Sequence, residues 1–83
     1  MALFMDMHTL DGPVGLTDAE AAHAADLKTQ ERYGVSYQRY WVDEAAGKIF
    51  CLVEAPDADA AISVHREAHG LVADAIFPVR EGS

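Results

Sequence analysis

The stretch VSYQRYWVDEAAGKIFCLVEA, residues 35–55, constrains the fold more than any other part of this chain. Two runs rich in β-branched and aromatic residues flank the short turn EAAG, which is the pattern of an antiparallel hairpin. Helix-forming segments bracket it. On the N-terminal side, TDAE places Glu20 three residues after Thr17, a capping box with Thr17 as N-cap. The run AEAAHAADLKTQERY continues it with good helix formers, and Gly34 stands where a left-handed C-cap is expected, so a helix is predicted over about 18–33. On the C-terminal side, Pro56 ends the second strand and Asp57 is an N-cap for DADAAISVHREAHG, predicting a helix over about 58–69 closed by Gly70. ALFMDMH, residues 2–8, reads as a first strand, and LVADAIFPV as a last one, with Pro78 suited to a sheet edge or strand end.

The resulting order is strand, helix, strand, strand, helix, strand. This is the split βαβ pattern of an α+β, ferredoxin-like βαββαβ domain covering residues 1–83, with two helices on one face of an antiparallel sheet. Its expected spatial strand order is fourth, first, third, second. The opposite sheet face then needs a cover, and the large side chains of YQRYW point to a second subunit, a homodimer. Size argues the same way. A chain of 83 residues buries only roughly 60 to 65% of its unfolded surface.

Charge excludes some partners. Fourteen acidic against six basic side chains leave a net charge of −8, which repels nucleic acid and anionic lipid and concentrates cations. Cys51 is the single cysteine and has no internal disulfide partner. The first residues lack a basic leader region, and no apolar run approaches the roughly 20 residues of a membrane span, so a cytoplasmic protein without a membrane segment is expected.

The chemistry lies in the four histidines. In the predicted topology His8 closes the first strand, His23 lies early in the first helix, and His65 and His69 lie late in the second, so all four fall toward one end of the molecule. The second helix carries an inward stripe of Ala58, Ala61, Ile62, His65, Ala68 and His69. The first similarly aligns Leu16, Ala19, His23, Leu27 and Gln30. On the first strand Phe4, Asp6 and His8 share a face, making Asp6 and His8 a polar pair. Imidazoles at i and i+4 on a helix can both reach one metal, but the zincin motif is absent, because Glu67 stands two residues after His65 on the other helix face. A structural reading remains open at each position: His65 and His69 as hydrogen-bonded core and helix-end residues, His23 exposed, Cys51 a buried hydrophobe too far from the sheet end to join a shared metal.

Taken together, FMDMH, AHAADLKTQERYGVSYQRYWVDEAAGKIFCLVEAPDADA and VHREAHGLVADAIFPV resemble a bacterial family of small proteins, formerly a domain of unknown function, whose best-described member binds nickel. The resemblance runs from about Phe4 to Val79. It implies a ferredoxin-like homodimer holding nickel, with a role in sequestration or detoxification. The positions that match the family pattern are Asp6, His8, His23, Trp41, Cys51, His65 and His69. The expected function is therefore nickel(II) binding, with His65, His69 and His8 as ligands, Asp6 as ligand or orienting group, His23 nearby, and zinc or another divalent metal as competitor. The rival expectation is a small dimeric enzyme of isomerase or monooxygenase type, in which His65 or His8 is a general base oriented by Asp6 and Cys51 a nucleophile. A plain interaction module, whose histidines satisfy one another, is the third.

Overall fold

In the computed structural model, which describes residues 1–82, the chain forms β1 (Ala2–Thr9), α1 (Leu16–Thr29) running into a 3-10 helix (Gln30–Tyr33), β2 (Ser36–Asp43), β3 (Lys48–Ala55), α2 (Ala58–Ala68) and β4 (Ala75–Pro78). This is an α+β fold with one four-stranded antiparallel sheet of order β2-β3-β1-β4. Read from the other edge, that is the strand order expected from the sequence.

Alternation along the strands sorts the sheet into two faces. Phe4, Asp6 and His8 of β1 and Ile49, Cys51, Val53 and Ala55 of β3 are all buried beneath the helices. Ala61 and Val64 of α2 and Ala19 of α1 close the core from above. On β2 the period of two is broken between Tyr37 and Arg39 by a bulge. Strict alternation would put Tyr37 and Tyr40 on opposite faces; the bulge puts both beneath the helices, paired with Val53 and Cys51. Gln30 supports the irregular segment by accepting the Tyr37 backbone N–H at 2.8 Å.

Three local expectations are corrected. The first helix starts at Leu16 behind Gly15, and Thr17 is not its N-cap. Val14 is buried and its N–H donates to the Glu44 carbonyl, so tertiary anchoring of the incoming loop starts the helix before the capping box. The inward stripe of α1 is also rotated. Leu16 and Leu27 are about half exposed, while Ala19 and Asp26 are buried. With alanines on every side, α1 has no strongly apolar face of its own, and the sites facing it decide its rotation. The last strand is shorter than expected, beginning at Ala75, because Leu71 and Val72 are exposed and the Asp74 N–H and carboxylate bind the end of β1 at Met7 and Thr9. The second helix agrees closely, with the Asp57 side chain accepting the Ala60 N–H at 2.8 Å.

Gly47 shows how tightly the hairpin turn is packed. It has φ +68°, and a Cβ there would stand 2.1 Å from the Gly12 carbonyl oxygen, while its own carbonyl accepts the Leu10 N–H. We expect Gly47→Ala to cost about 2 kcal/mol through left-handed strain and displacement of the 10–15 loop, read as a lower urea midpoint.

Candidate metal centre

The centre is assembled around His65, which is 1% exposed. Its Nε2 lies 2.9 Å from Asp6 Oδ2 and its Nδ1 2.9 Å from Asp26 Oδ1, so the imidazole donates to a carboxylate at each end. Tyr37 lies against one side of the ring, at a centroid distance of 4.4 Å, and His8 meets it edge-on at 4.8 Å. The Tyr37 hydroxyl has one proton and two acceptors in reach, Asp6 Oδ2 at 3.1 Å and the Ala61 carbonyl at 3.0 Å.

Two buried carboxylates set the electrostatics. Burial disfavours the charged imidazolium of His65, but hydrogen bonds to Asp26 and Asp6 outweigh it and raise the pKa from 6.5 to about 9. The same bonds hold Asp6 and Asp26 below the ordinary 3.8 despite burial that acts the other way. Burial first, and the Asp6 charge second, push the Cys51 thiol and the Tyr37 phenol up, so both are neutral. At neutral pH this is a charged triad of Asp6, imidazolium and Asp26.

His69 adds a further nitrogen. Leu71 donates its N–H to Nδ1 at 3.1 Å, which places the proton of the neutral ring on Nε2, 3.0 Å from Asp26 Oδ1. His8 Nε2 is 3.3 Å from Asp6 Oδ1, close but not aligned for a hydrogen bond. Asp6 Oδ1 is thus a buried oxygen without a hydrogen-bond partner, and His23 Nδ1 is a buried nitrogen without one. Such atoms are rare in folded interiors, and an ordered water or an ion would satisfy them.

Donor atoms of Asp6, His8, Cys51 and His65 all lie within 4.8 Å of one another, and those of Asp26, His65 and His69 do the same. Beside them is a cavity of about 20 Å³ whose lining includes all four histidines, Asp26 and Tyr40. The expected convergence of His8, His23, His65 and His69 is therefore present, and so is the Asp6–His8 pair. His23 is on the cavity wall, 4.8 Å from the Tyr40 ring, and belongs to neither donor group. Glu67 faces away, pairing with Arg32 and Tyr33.

Three residues differ from the expectation. Cys51 is inside a donor group rather than distant from it, because it is the register partner of Asp6 and the centre lies at Asp6, two residues in from the strand position of His8. Asp26 was not foreseen. Its signal was an acid three residues after His23 and seven after Ala19, on the row that the structure buries, and the leucines of α1 drew the stripe elsewhere. Tyr37, expected only among the large YQRYW side chains that point to a second subunit, is hydrogen-bonded into the centre through the bulge.

Among the described residues, no helix is long and apolar enough to cross a membrane. No curated protein matches the chain significantly. The crystal structure of SCO4226 from Streptomyces coelicolor A3(2) is similar, with 36% sequence identity, a TM-score of 0.91 and coverage of 99% of this chain and 100% of that one. A family profile described as "Nickel responsive protein SCO4226-like" matches residues 4–79, nearly the whole chain, and the resemblance in sequence is thereby established. The protein belongs to the family of SCO4226-like nickel-responsive proteins.

Proposed function

We propose that the protein binds a divalent transition metal in the buried centre around His65, with nickel(II) as cargo and sequestration or detoxification as the purpose. Nickel follows from the family's description as nickel responsive. The observation that carries the reading is the mixed set of oxygen, nitrogen and sulfur donors within 4.8 Å, in which Asp6 Oδ1 is buried, accepts no hydrogen bond and has His8 Nε2 at 3.3 Å. Imidazole with carboxylate or thiolate suits Ni(II), and the same donors suit zinc and bind copper more tightly, so supply in the cell decides which ion is carried. His65, His69, His8 and Asp6 are the expected ligands, with Asp26 and Cys51 added. His23 stands on the cavity wall, outside both donor groups.

The size of the cavity favours this reading over the acid–base enzyme. About 20 Å³ is room for one water or a bare ion, whereas organic substrates occupy pockets of roughly 300 Å³ or more. In titration calorimetry of the metal-free protein with Ni(II), His65→Ala and His69→Ala are expected to weaken binding at least about tenfold, the loss of one ligand. Unchanged affinity and stoichiometry in both variants would remove these residues from the proposal.

We read the split βαβ order as ferredoxin-like and the assembly as a homodimer, acting in the cytoplasm. Support for the dimer comes from the sheet face opposite the helices. Strand pairing sets Met7, Phe50 and Trp41 in one row and Phe77, Met5 and Leu52 in the next, with Trp41 and Phe77 about half exposed in the single chain. A second copy of the same face would cover this apolar surface. Trp41→Glu is expected to give a monomer in analytical ultracentrifugation, and a dimer of undiminished affinity would show that the contact lies elsewhere.

A further inference from the structure

We propose that the peptide unit between Gly70 and Leu71 is the positioning partner of His69 and turns over when the centre is loaded, offering the ring its N–H in the metal-free protein and its C=O in the metal-bound one. This rests on the metal-binding reading above. The two nitrogens of His69 have separate surroundings. Nε2 faces the centre, 3.0 Å from Asp26 Oδ1 and 3.2 Å from His65 Nδ1, and is the nitrogen that an ion there would take. Nδ1 faces away from it and accepts the Leu71 N–H at 3.1 Å. A neutral imidazole carries one proton, and with Nδ1 accepting, that proton stands on Nε2.

Coordination needs the Nε2 lone pair, so the proton moves to Nδ1 by exchange with solvent and the ring stays neutral throughout. Nδ1–H then points at the Leu71 N–H, donor against donor. A ligating histidine donates its second N–H to a carboxylate, a carbonyl or water. The Gly70 carbonyl is the other side of the same peptide unit, and half a turn of that unit puts C=O where N–H stood.

The chain is suited to such a turn at this point. Gly70 has φ +79°, yet a Cβ on it would meet nothing within 4 Å, so backbone conformation rather than space calls for glycine. Turning the unit changes only ψ of Gly70 and φ of Leu71. At positive φ a residue with a side chain is confined to one left-handed well, whereas glycine also reaches the extended setting. Both flanks stay tied. Gly70 donates its own N–H to the His65 carbonyl at 2.9 Å, the Asp74 N–H donates to the Met7 carbonyl at 2.9 Å, and Thr9 donates its N–H to the Asp74 carboxylate. No backbone N–H among the described residues donates to the Gly70 carbonyl, so the turn breaks only the bond that the moved proton has already made unfavourable.

The test is nuclear magnetic resonance of isotope-labelled, untagged protein, metal-free and loaded with Zn(II) as a diamagnetic probe, with Ni(II) affinity measured by titration calorimetry. Ring-nitrogen spectra are expected to show His69 protonated on Nε2 in the metal-free protein and on Nδ1 in the loaded one. The Leu71 amide should exchange with solvent at least about tenfold faster after loading, while the Gly70 and Asp74 amides keep their protection. Gly70→Asn, which accepts the left-handed conformation, should keep a Tm close to wild type and a protected Leu71 amide, but bind Ni(II) about tenfold or more weakly, the range for losing a ligand's outer partner. The wild-type spectra stand independently of how well the variant folds. A loaded His69 protonated on Nδ1 with the Leu71 amide still protected, or Gly70→Asn binding as tightly as wild type, would overturn the turning peptide and leave the metal centre standing. Ring nitrogens of His69 unmoved by bound zinc would overturn the peptide and also remove His69 from the ligands.

Discussion

His65→Ala is expected to lower the stability of the metal-free protein by about 3 to 5 kcal/mol at pH 6, the cost of stranding buried charge when one partner of an ion pair is removed. The reason is specific to this site. His65 is the cation between Asp6 and Asp26, both about 1% exposed, and its loss leaves two buried carboxylates with no countercharge between them, together with the volume of an imidazole. In a chain of 83 residues this corresponds to a fall in Tm of at least about 12 °C. Charge and cavity contributions separate with pH. The deficit should shrink toward pH 3, where Asp6 and Asp26 of the variant can take up protons, and the part that persists reports lost packing. A deficit that is constant from pH 6 to pH 3 would mean that the triad is not what His65 stabilises.

Stability of the metal-free wild type is expected to decline between pH 6.5 and pH 9 by about 3 kcal/mol, measured as Tm or urea midpoint. His65 titrates at about 9 in the folded protein against 6.5 ordinarily, so its contribution is fully present below 6.5 and is lost as pH rises through 9. Asp6 and Asp26 act in the opposite sense. Their pKa values lie below the ordinary 3.8, so their contribution is present above 3.8 and is lost as pH falls further. Maximum stability therefore falls between about pH 4 and 6.5. Because one three-way interaction shifts all three groups, the two flanks are separate readings of the same energy and do not add. In the proposed nickel complex the alkaline flank would be reversed: a ligating His65 must first lose protons, so apparent affinity should rise about tenfold per pH unit for each proton displaced between pH 6 and pH 9. Affinity flat over that range would argue that His65 is not a ligand.

Much of the fold was legible because it rests on local patterns. The EAAG hairpin, the Asp57 cap and the left-handed Gly34 each specify a boundary within a few residues of themselves, and all three stand in the structure. The parity of β1 likewise set Asp6 and His8 on one face, which the structure buries, and the spacing of α2 set His65 and His69 on its inward stripe. Asp26 was hidden because α1 is mostly alanine and polar residues, so its periodicity has no dominant side to choose. Its rotation was chosen by what lies opposite, including His65 and His69, which pair with the Asp26 carboxylate.

By itself the sequence determined the order of elements, and with it the expected strand order, the shared face of Asp6 and His8 on β1 and the inward stripe of His65 and His69 on α2, since alternation and helical spacing are properties of neighbouring residues. Tertiary structure alone decided which of these meet. The register of β1 on β3 sets Cys51 beside Asp6, the bulge in β2 turns Tyr37 to face the same carboxylate, and the seating of α1 brings Asp26 to the other edge of His65. Each of those depends on contacts between residues 31 or more positions apart or on a strand pairing, for which no local pattern carries a signal.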